Sequence, residues 1–318
     1  MEIFVVKSRI LKAIRAFFDQ EGFLEVDTPT LVLSPDPSPF NEVFKIEGKN
    51  LYLTPSPEFA IKKLLSLGLK NVYQITKAYR DGQENDPLHL NEFTILEWYR
   101  DNADYLDLMK DCENLINYIA KSLNLKTLIY QKQEIDLSLP WQKISCKQAF
   151  EKYANLNLDE FLDIKNALKI SKNKGYQVDE KNSWEELYHQ VFLNEVEPKF
   201  PKSQPFVLYD YPAPLAALSK IKETNLKYAE RFEFYIGGLE LGNGYSELTD
   251  WQEQEKRLRL DLQTRKEKGM KIFDYDREFV EALKSGIPKT AGIAVGIDRL
   301  IMLFTDCTDI HEVTPLSF

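Results

Sequence analysis

The chain has 318 residues, 43% hydrophobic and 29% charged, a composition that suits a folded protein of one large domain or two ordinary ones. A net charge of −9 with no Lys/Arg-rich run argues against an extended grip on nucleic acid, and no apolar run approaches the roughly 18 residues of a membrane span. Three cysteines (Cys112, Cys146, Cys307) and three histidines (His89, His189, His311) are too scattered for a zinc site or a disulfide framework, and no signal-peptide pattern opens the chain, so a reducing cytoplasm is the expected location.

Lys7 to Glu21 places Ile10, Leu11, Ile14, Phe17 and Phe18 at helical spacing, and Gly22 stops the helix. Phe23 to Val26 reads as a short strand ended by Asp27-Thr28-Pro29, and the prolines of Ser34 to Pro39 make an irregular loop. Leu51 to Leu53 is a strand that leads to a helix start, with Ser56 as N-cap, Pro57 at the first helical position, Glu58 in the first turn and Gly68 as the stop. Val72 to Arg80 and Phe93 to Arg100 read as the two strands of a hairpin around a polar loop, Asp81 to Asn91. Glu97 shares a strand face with Phe93, Ile95 and Tyr99, and a carboxylate buried there needs a cationic partner. Arg80, at the hairpin mouth, has the fork geometry to hold a phosphate through two parallel hydrogen bonds.

Asp104 to Leu125 reads as a helix, as do Ser145 to Tyr153, Leu158 to Ile170 and Trp184 to Val196, and Phe206 to Asp210 reads as a strand. Arg231 to Leu241 is a strand carrying Glu240, followed by the turn signal Gly242-Asn243-Gly244 and then Glu247. On an unbroken strand the odd spacing would put Glu240 and Glu247 on opposite faces; a glycine bend is expected to bring them to one point, where two carboxylates want Mg²⁺ and substrate phosphates. Trp251 to Lys268 reads as a charged, solvated helix. Gly292 to Gly296 reads as a strand running into a helix with Arg299 in its first turn, without the dinucleotide glycine spacing. Each piece also has a purely structural reading: a helix dipole at Glu58, a hairpin turn at Asn243-Gly244, an exposed arginine at Arg299.

Together and in this order the pieces resemble the catalytic domain of the class II aminoacyl-tRNA synthetases over nearly the whole chain. Gly22 to Pro29 is similar to motif 1, Arg80 through Phe93 to motif 2, and Gly292 to Arg299 to motif 3. Ser56-Pro57-Glu58, Glu97-Trp98-Tyr99-Arg100 and the run Glu240 to Leu248 resemble the lysyl branch. Ala294 replaces the middle glycine of that branch's motif 3, and only about six residues precede the motif 1 helix. The lysyl synthetases place an OB-fold anticodon-binding domain there. Both features resemble the paralogues that modify elongation factor P, the elongation factor P–(R)-β-lysine ligases. The chain departs from the family in motif 2, where Gly82 stands in place of a glutamate, Glu84 is the nearest carboxylate, and His89-Leu90-Asn91-Glu92-Phe93 replaces H-N-P-E-F.

The resemblance implies an α+β fold, a class II synthetase-like antiparallel sheet flanked by helices, formed as one catalytic domain over residues 1–318 with no anticodon-binding domain. It implies a homodimer through Phe23 to Pro29, ATP and Mg²⁺ as cofactors, and an AMP-forming ligase that activates lysine or (R)-β-lysine and transfers it to a lysine of elongation factor P. Arg80 and Arg299 would be catalytic, and ATP would also meet Asp81, Gly82, Glu84, His89, Asn91, Phe93, Glu240, Leu241 and Gly296. The amino acid would be held by Ser56, Pro57, Glu58, Glu97, Tyr99, Asn243, Glu247 and Ala294, and Mg²⁺ by Glu240 and Glu247. No membrane and no strong tRNA binding are expected. The alternatives are a stand-alone lysyl-tRNA synthetase core that charges tRNA and a non-catalytic, synthetase-like regulatory protein.

Overall fold

Apolar spacing sets the first element: Ile10, Ile14, Phe17 and Phe18 lie on one face of the Glu2–Gln20 helix and are buried, and Gly22, at φ +75°, turns the chain out of it. The computed structural model describes residues 2–83 and 86–314. Its strands are β1 (Leu24–Glu25), β2 (Leu31–Val32), β3 (Tyr52–Leu53), β4 (Val72–Tyr79), β5 (Glu92–Asp101), β6 (Leu128–Tyr130), β7 (Gln133–Ile135), β8 (Gln142–Ser145), β9 (Phe206–Pro212), β10 (Tyr228–Ile236), β11 (Leu239–Ser246) and β12 (Thr290–Gly296).

Eight of these form one sheet in the order β1-β4-β5-β12-β11-β10-β9-β8. The inner junctions are antiparallel, and the two outer ones, β1 with β4 and β8 with β9, are parallel. The expected α+β architecture, a mainly antiparallel sheet flanked by helices, is the one observed. Directly opposed residues share a face, and one line of partners crosses five strands: Gln74, Glu97, Ala294, Asn243 and Glu233. That face carries the polar residues. The other face carries Leu96, Trp98, Ile293 and Val295, which are buried in a core with the Glu2–Gln20, Tyr105–Ser122 and Ile297–Thr305 helices. Phe18 stacks on Tyr73 there at 4.6 Å between ring centroids. A second core around Phe150, Phe161 and Tyr188 packs at the β8–β9 end of the sheet.

The β10–β11 region corrects the sequence reading. The Arg231–Leu241 strand is broken at Gly237-Gly238, both at positive φ (+64° and +85°), and the hairpin turns there. Gly242-Asn243-Gly244 makes no turn but runs through the middle of β11, paired on both sides. Its glycines answer to close packing instead: a Cβ on Gly242 would sit 2.5 Å from the Phe234 ring, and one on Gly244 would sit 2.7 Å from Ile293. Two turn signals lie five residues apart, and the Gly-Gly pair takes the turn because it supplies both positive φ angles without strain.

Two helices also differ. The Trp184–Val191 helix passes into a π-helical turn at Phe192–Val196. The Trp251–Glu267 helix is not solvated all round, since Gln254, Leu258 and Arg265 lie along one buried stripe. Arg265 is fully buried and acts as a clip. Its Nε donates to the Lys271 carbonyl (3.0 Å), one terminal nitrogen to the carbonyls of Ser38 (3.0 Å) and Asn41 (2.7 Å), and the other to Glu42 (2.7 Å). This fixes the end of the proline-rich loop against the helix. Arg265→Ala is therefore expected to destabilise the protein by about 3–5 kcal/mol in denaturant unfolding, because it strands a carboxylate and three carbonyls; a loss near zero would show that the clip carries no load.

Candidate functional site

The polar face of the sheet holds an unusual charge balance. Glu97, 1% exposed, accepts from Ser56 Oγ (2.5 Å) and Tyr99 OH (2.9 Å). Lys62, one turn after Glu58 on the Glu58–Ser66 helix, donates to Glu58 Oε1 at 2.5 Å and lies 2.5 Å from Glu247 Oε2. The contact to Glu247 is an ion pair outside hydrogen-bond angles, and Glu247 Oε1 has no hydrogen-bond partner among the described residues. Tyr245 OH also donates to Glu58. Ser56 is not the N-cap it was expected to be: the helix begins one residue later, with Pro57 in the cap position. Ser56 still accepts from the Glu58 N–H (3.0 Å) while it donates to Glu97, which ties the helix start to the sheet.

One ammonium thus serves two buried carboxylates, Glu97 and Glu247, and the partly buried Glu58. Burial, then Glu58, pushes Glu97 up to about 8. Burial pushes Glu247 up to about 8 as well; Lys62 opposes this, and Glu58 and Glu97 add to it. Burial works against the Lys62 charge, but Glu247 and then Glu58 outweigh it and push its pKa up. The directions agree once the charges are counted: Lys62 stays charged, and the acids left over hold protons. The floor of the pocket is Gly292, where a Cβ would sit 2.3 Å from the Tyr99 ring and 2.4 Å from Glu247 Oε1. Ala294 stands beside it in the line of partners, opposite Glu97 on one side and Asn243 on the other.

At the other end lies Arg80. Its guanidinium sits 4.9 Å from the Phe93 ring centre, its Nε is buried without a partner, and it makes no side-chain hydrogen bond or ion pair among the described residues. Burial lowers its pKa against the pull of Asp36, Glu97 and Glu240. An arginine held this way is short of an anion. Arg299 is engaged instead. It donates to the carbonyls of Leu88 (3.0 Å) and Glu240 (2.9 Å) and, at 2.5 Å, to His89 Nε2. Burial and the Arg299 charge lower the His89 pKa, which keeps the ring neutral and able to accept. Phe93 faces Arg80, and Arg299 faces the loop after β4.

The remaining loop residues divide. Asp81 is paired with Lys271 (2.7 Å), Gly82 turns at φ +82°, and Asn91 Oδ1 accepts from Gln83 N (2.8 Å), so these three shape the loop. Glu84 lies outside the described residues. Leu241 is buried, and Gly296 caps the helix that carries Arg299.

The expected Glu240–Glu247 pair is corrected. A β-bulge at Leu241, where the register slips between Phe234 and Tyr235, adds one residue and restores parity, so Glu240, Asn243, Tyr245 and Glu247 share a face. They do not converge: six strand steps separate the two carboxylates by about 20 Å of backbone. Glu247 lies with Lys62, Glu58 and Glu97, whereas burial and then Glu233 push Glu240 up to about 7 against Arg299 and Arg231. Glu233 is the residue the sequence reading missed. It accepts from Tyr211 OH (2.5 Å), Tyr235 OH (2.7 Å) and Arg231 (2.8 Å), and Arg231 also donates to Asn243 (3.1 Å). The alternation of Arg231, Glu233 and Tyr235 on one strand was its only signal, and it pointed at the site only once the turn was placed at Gly237-Gly238. Among the described residues no group of three or more His, Cys, Asp or Glu is arranged to hold a metal by itself.

The family model for tRNA synthetases class II (D, K and N) matches residues 1–317. The chain is similar to the lysine–tRNA ligases of Pelotomaculum thermopropionicum and Carboxydothermus hydrogenoformans, at 35% identity over 318 and 316 residues. It is 33% identical over 315 residues to that of Legionella pneumophila. Each alignment covers 98% of this chain and between 62% and 64% of the relative, so the chain spans a little under two thirds of the length of the relatives it matches.

The excess of buried acid sets a pH dependence. Glu97 and Glu247 rise from an ordinary value of 4.5 to about 8 in the folded protein. Their bound protons add stability that is complete below the unfolded value and is lost as pH rises through the folded one. The unfolding free energy of the ligand-free protein should therefore fall between about pH 5 and pH 8, and Glu97→Gln should flatten that slope by up to about 1.4 kcal/mol per pH unit. Equal slopes in the two proteins, from denaturant unfolding across that range, would remove the protonated acids from the account.

Proposed function

Because the chain belongs to the class II tRNA synthetases (D, K and N), we propose that it joins ATP to a diaminocarboxylic acid, lysine or (R)-β-lysine, and passes the activated acyl group to a lysine of elongation factor P. The observation that carries the first half is the charge balance. Glu58, Glu97 and Glu247 around the single Lys62 leave the pocket short of two positive charges, and Arg80 next to it is short of a negative one. A diammonium carboxylate presenting its carboxylate to ATP at Arg80 supplies both. One eight-stranded sheet takes strands from residue 24 to residue 296, which supports reading the described residues as one catalytic domain.

In the first step a carboxylate oxygen attacks the α-phosphorus, the bond to pyrophosphate breaks, and the acyl-adenylate remains. The carboxylate is already ionised at neutral pH, so the site needs no base here, only positioning and charge neutralisation. Arg80 offsets the negative charge that gathers on the α-phosphate. Arg299 would leave His89 and lie on the adenine, with Phe93 on its other face. Glu240 with Glu233 fits Mg²⁺: Glu240 is pushed up by burial and by the neighbouring Glu233 carboxylate, and a hard dication between two such oxygen donors would offset that repulsion. Bound there, Mg²⁺ would neutralise phosphate charge. In the second step the acceptor amine, in its neutral form, attacks the mixed anhydride, AMP leaves, and the amine loses a proton.

For the acceptor, the net charge of −9 supports a protein over a multi-phosphate grip on RNA. The Ala294 methyl beside Glu97 and Asn243 supports a substrate whose backbone differs from that of an α-amino acid. The printed names of the relatives, lysine–tRNA ligases, support the second reading, a core that charges tRNA. A homodimer belongs to either reading. Phe23 is itself buried, whereas Leu24 next to it is exposed, as are Phe4 and Val5 at the start of the first helix and Leu31 on β2.

ATP–pyrophosphate exchange with lysine and with β-lysine, followed by addition of elongation factor P or tRNA, tests these readings. A mass gain on the protein supports the ligase, tRNA charging without it favours the second reading, and exchange with neither amino acid favours a non-catalytic role. Arg80→Ala and Arg299→Ala are each expected to cut exchange by at least about a hundredfold, and near-normal exchange in either would overturn the placement of the nucleotide. Ala294→Gly should move the ratio of kcat/KM values by about tenfold from the β- toward the α-amino acid. An unchanged ratio would take the methyl out of the specificity argument.

A further inference from the structure

A fourth pocket carboxylate has no part in the steps above. Asp36 lies in the proline-rich loop between Pro35 and Pro37, which restrict its backbone. Its Oδ1 accepts from Ser38 N at 3.1 Å, and it makes no other hydrogen bond or ion pair among the described residues. The charges it faces are Glu58, Arg80 and Lys62 from the pocket, and Asp261 from the long helix beside it. Among the carboxylates that act on Arg80, Asp36 acts most strongly, ahead of Glu97 and Glu240. Burial, and then Glu58, raises it to about 6. The loop is built rather than loose. The buried Arg265 grips it at Ser38, Asn41 and Glu42, and the Glu42 carbonyl accepts from Asp81 N (3.0 Å) in the loop after β4. Two further groups show that the space calls for a ligand: the partnerless Glu247 Oε1, on a residue only 4% exposed, and the partnerless Arg80 Nε.

These positions order the pocket along its length. The reacting carboxylate must lie at Arg80. Glu247 lies 2.5 Å from Lys62 and above Gly292, beside the Tyr99 ring, and is assigned to the far amine. An amine one or two carbons from the reacting carboxylate falls at the Arg80 end, where Asp36 has a free oxygen. We propose that Asp36 receives the ammonium nearest the reacting carboxylate and thereby selects diaminocarboxylates over acids that carry only the distal amine. The inference rests on the proposed activation of such an acid at this site. An ammonium there also lies between Asp36 and Glu58 and offsets their repulsion, which a monoamine cannot do.

The test compares wild type with Asp36→Asn, which keeps the shape and removes the charge. Binding of lysine, β-lysine and 6-aminohexanoate, which lacks the proximal amine, is measured by calorimetry; pyrophosphate exchange is measured with each. The substitution is expected to weaken binding of both diamino acids and raise their KM at least about tenfold, the value of one charge-assisted hydrogen bond, with a smaller change in kcat. Its effect on 6-aminohexanoate should be much smaller. An equal penalty on all three acids would make Asp36 merely structural and overturn the proposal, as would no penalty at all. Wild type that activates the diamino acids while Asp36→Asn matches it sinks this inference alone. Wild type that binds neither diamino acid sinks the proposed function with it. The KM for ATP and the thermal midpoint of the variant separate a local loss from a folding defect, and Asp36→Glu, which restores the charge, should recover part of the diamino-acid affinity.

Discussion

Buried negative charge is the constraint on which the rest of this molecule depends. Of the three glutamates around one lysine, Glu97 and Glu247 are almost out of contact with water, and each would cost several kcal/mol to ionise without compensation. The fold meets part of that cost with Lys62 and with the hydroxyls of Ser56, Tyr99 and Tyr245. It leaves the remainder unmet, and the carboxyls hold protons in consequence. A pocket that ends in this state is complementary to cations. The sheet supplies the geometry: opposed residues on neighbouring strands place Glu97, Ala294 and Asn243 side by side, and Gly292 leaves room for Tyr99 and Glu247 to meet above it.

Strand parity decides which carboxylates belong together. The Leu241 bulge turns Glu240 to the polar face, and the turn at Gly237-Gly238 lays β10 alongside so that Glu233 lies near it. Two acidic groups result at opposite ends of the site. Glu247, Glu97 and Glu58 share Lys62, while Glu240 and Glu233 share Arg231 and Arg299. Arg80 lies between them and feels carboxylates from both. A single bulge therefore separates the acidic group around Lys62 from the acidic group around Arg231, which the proposed function assigns to ammonium groups and to phosphates.

Much of this was legible in the sequence, for identifiable reasons. The hairpin around Arg80 follows from β-branched and aromatic runs on either side of a polar loop, and alternation alone said that Glu97 was buried and needed a cation. Lys62 answers that need through Glu58, one helical turn away. The bulge was not legible, because an extra residue in one strand is defined by its partner, and the partner is remote or uncertain in sequence. The error at Gly242-Asn243-Gly244 has the same origin. Asn-Gly signals a turn locally, but the ladders on both sides, and the Phe234 and Ile293 side chains where a Cβ would go, override it. Asp36 stayed hidden for a related reason: a proline-rich loop has no periodicity, and what fixes where it lies is remote in sequence, Arg265 more than two hundred residues away among it.

The same charges bear on what the pocket excludes. A monoamine brings one positive charge to a space short of two, and leaves a carboxylate either unpaired or protonated at a cost set by its raised pKa. A neutral amino acid of similar length leaves the pocket as it was and gains only packing. A dicarboxylate adds to the repulsion. Selection then comes from the cost of leaving buried acids unmatched, and not from shape alone, which for flexible aliphatic chains differs little. At Arg80 the order is reversed, since a guanidinium gains from any anion and distinguishes among anions poorly. Under the proposed function the amine end would carry the recognition and Arg80 the reactivity, and because the sheet holds both on one face, a ligand long enough to satisfy the first would present its carboxylate to the second.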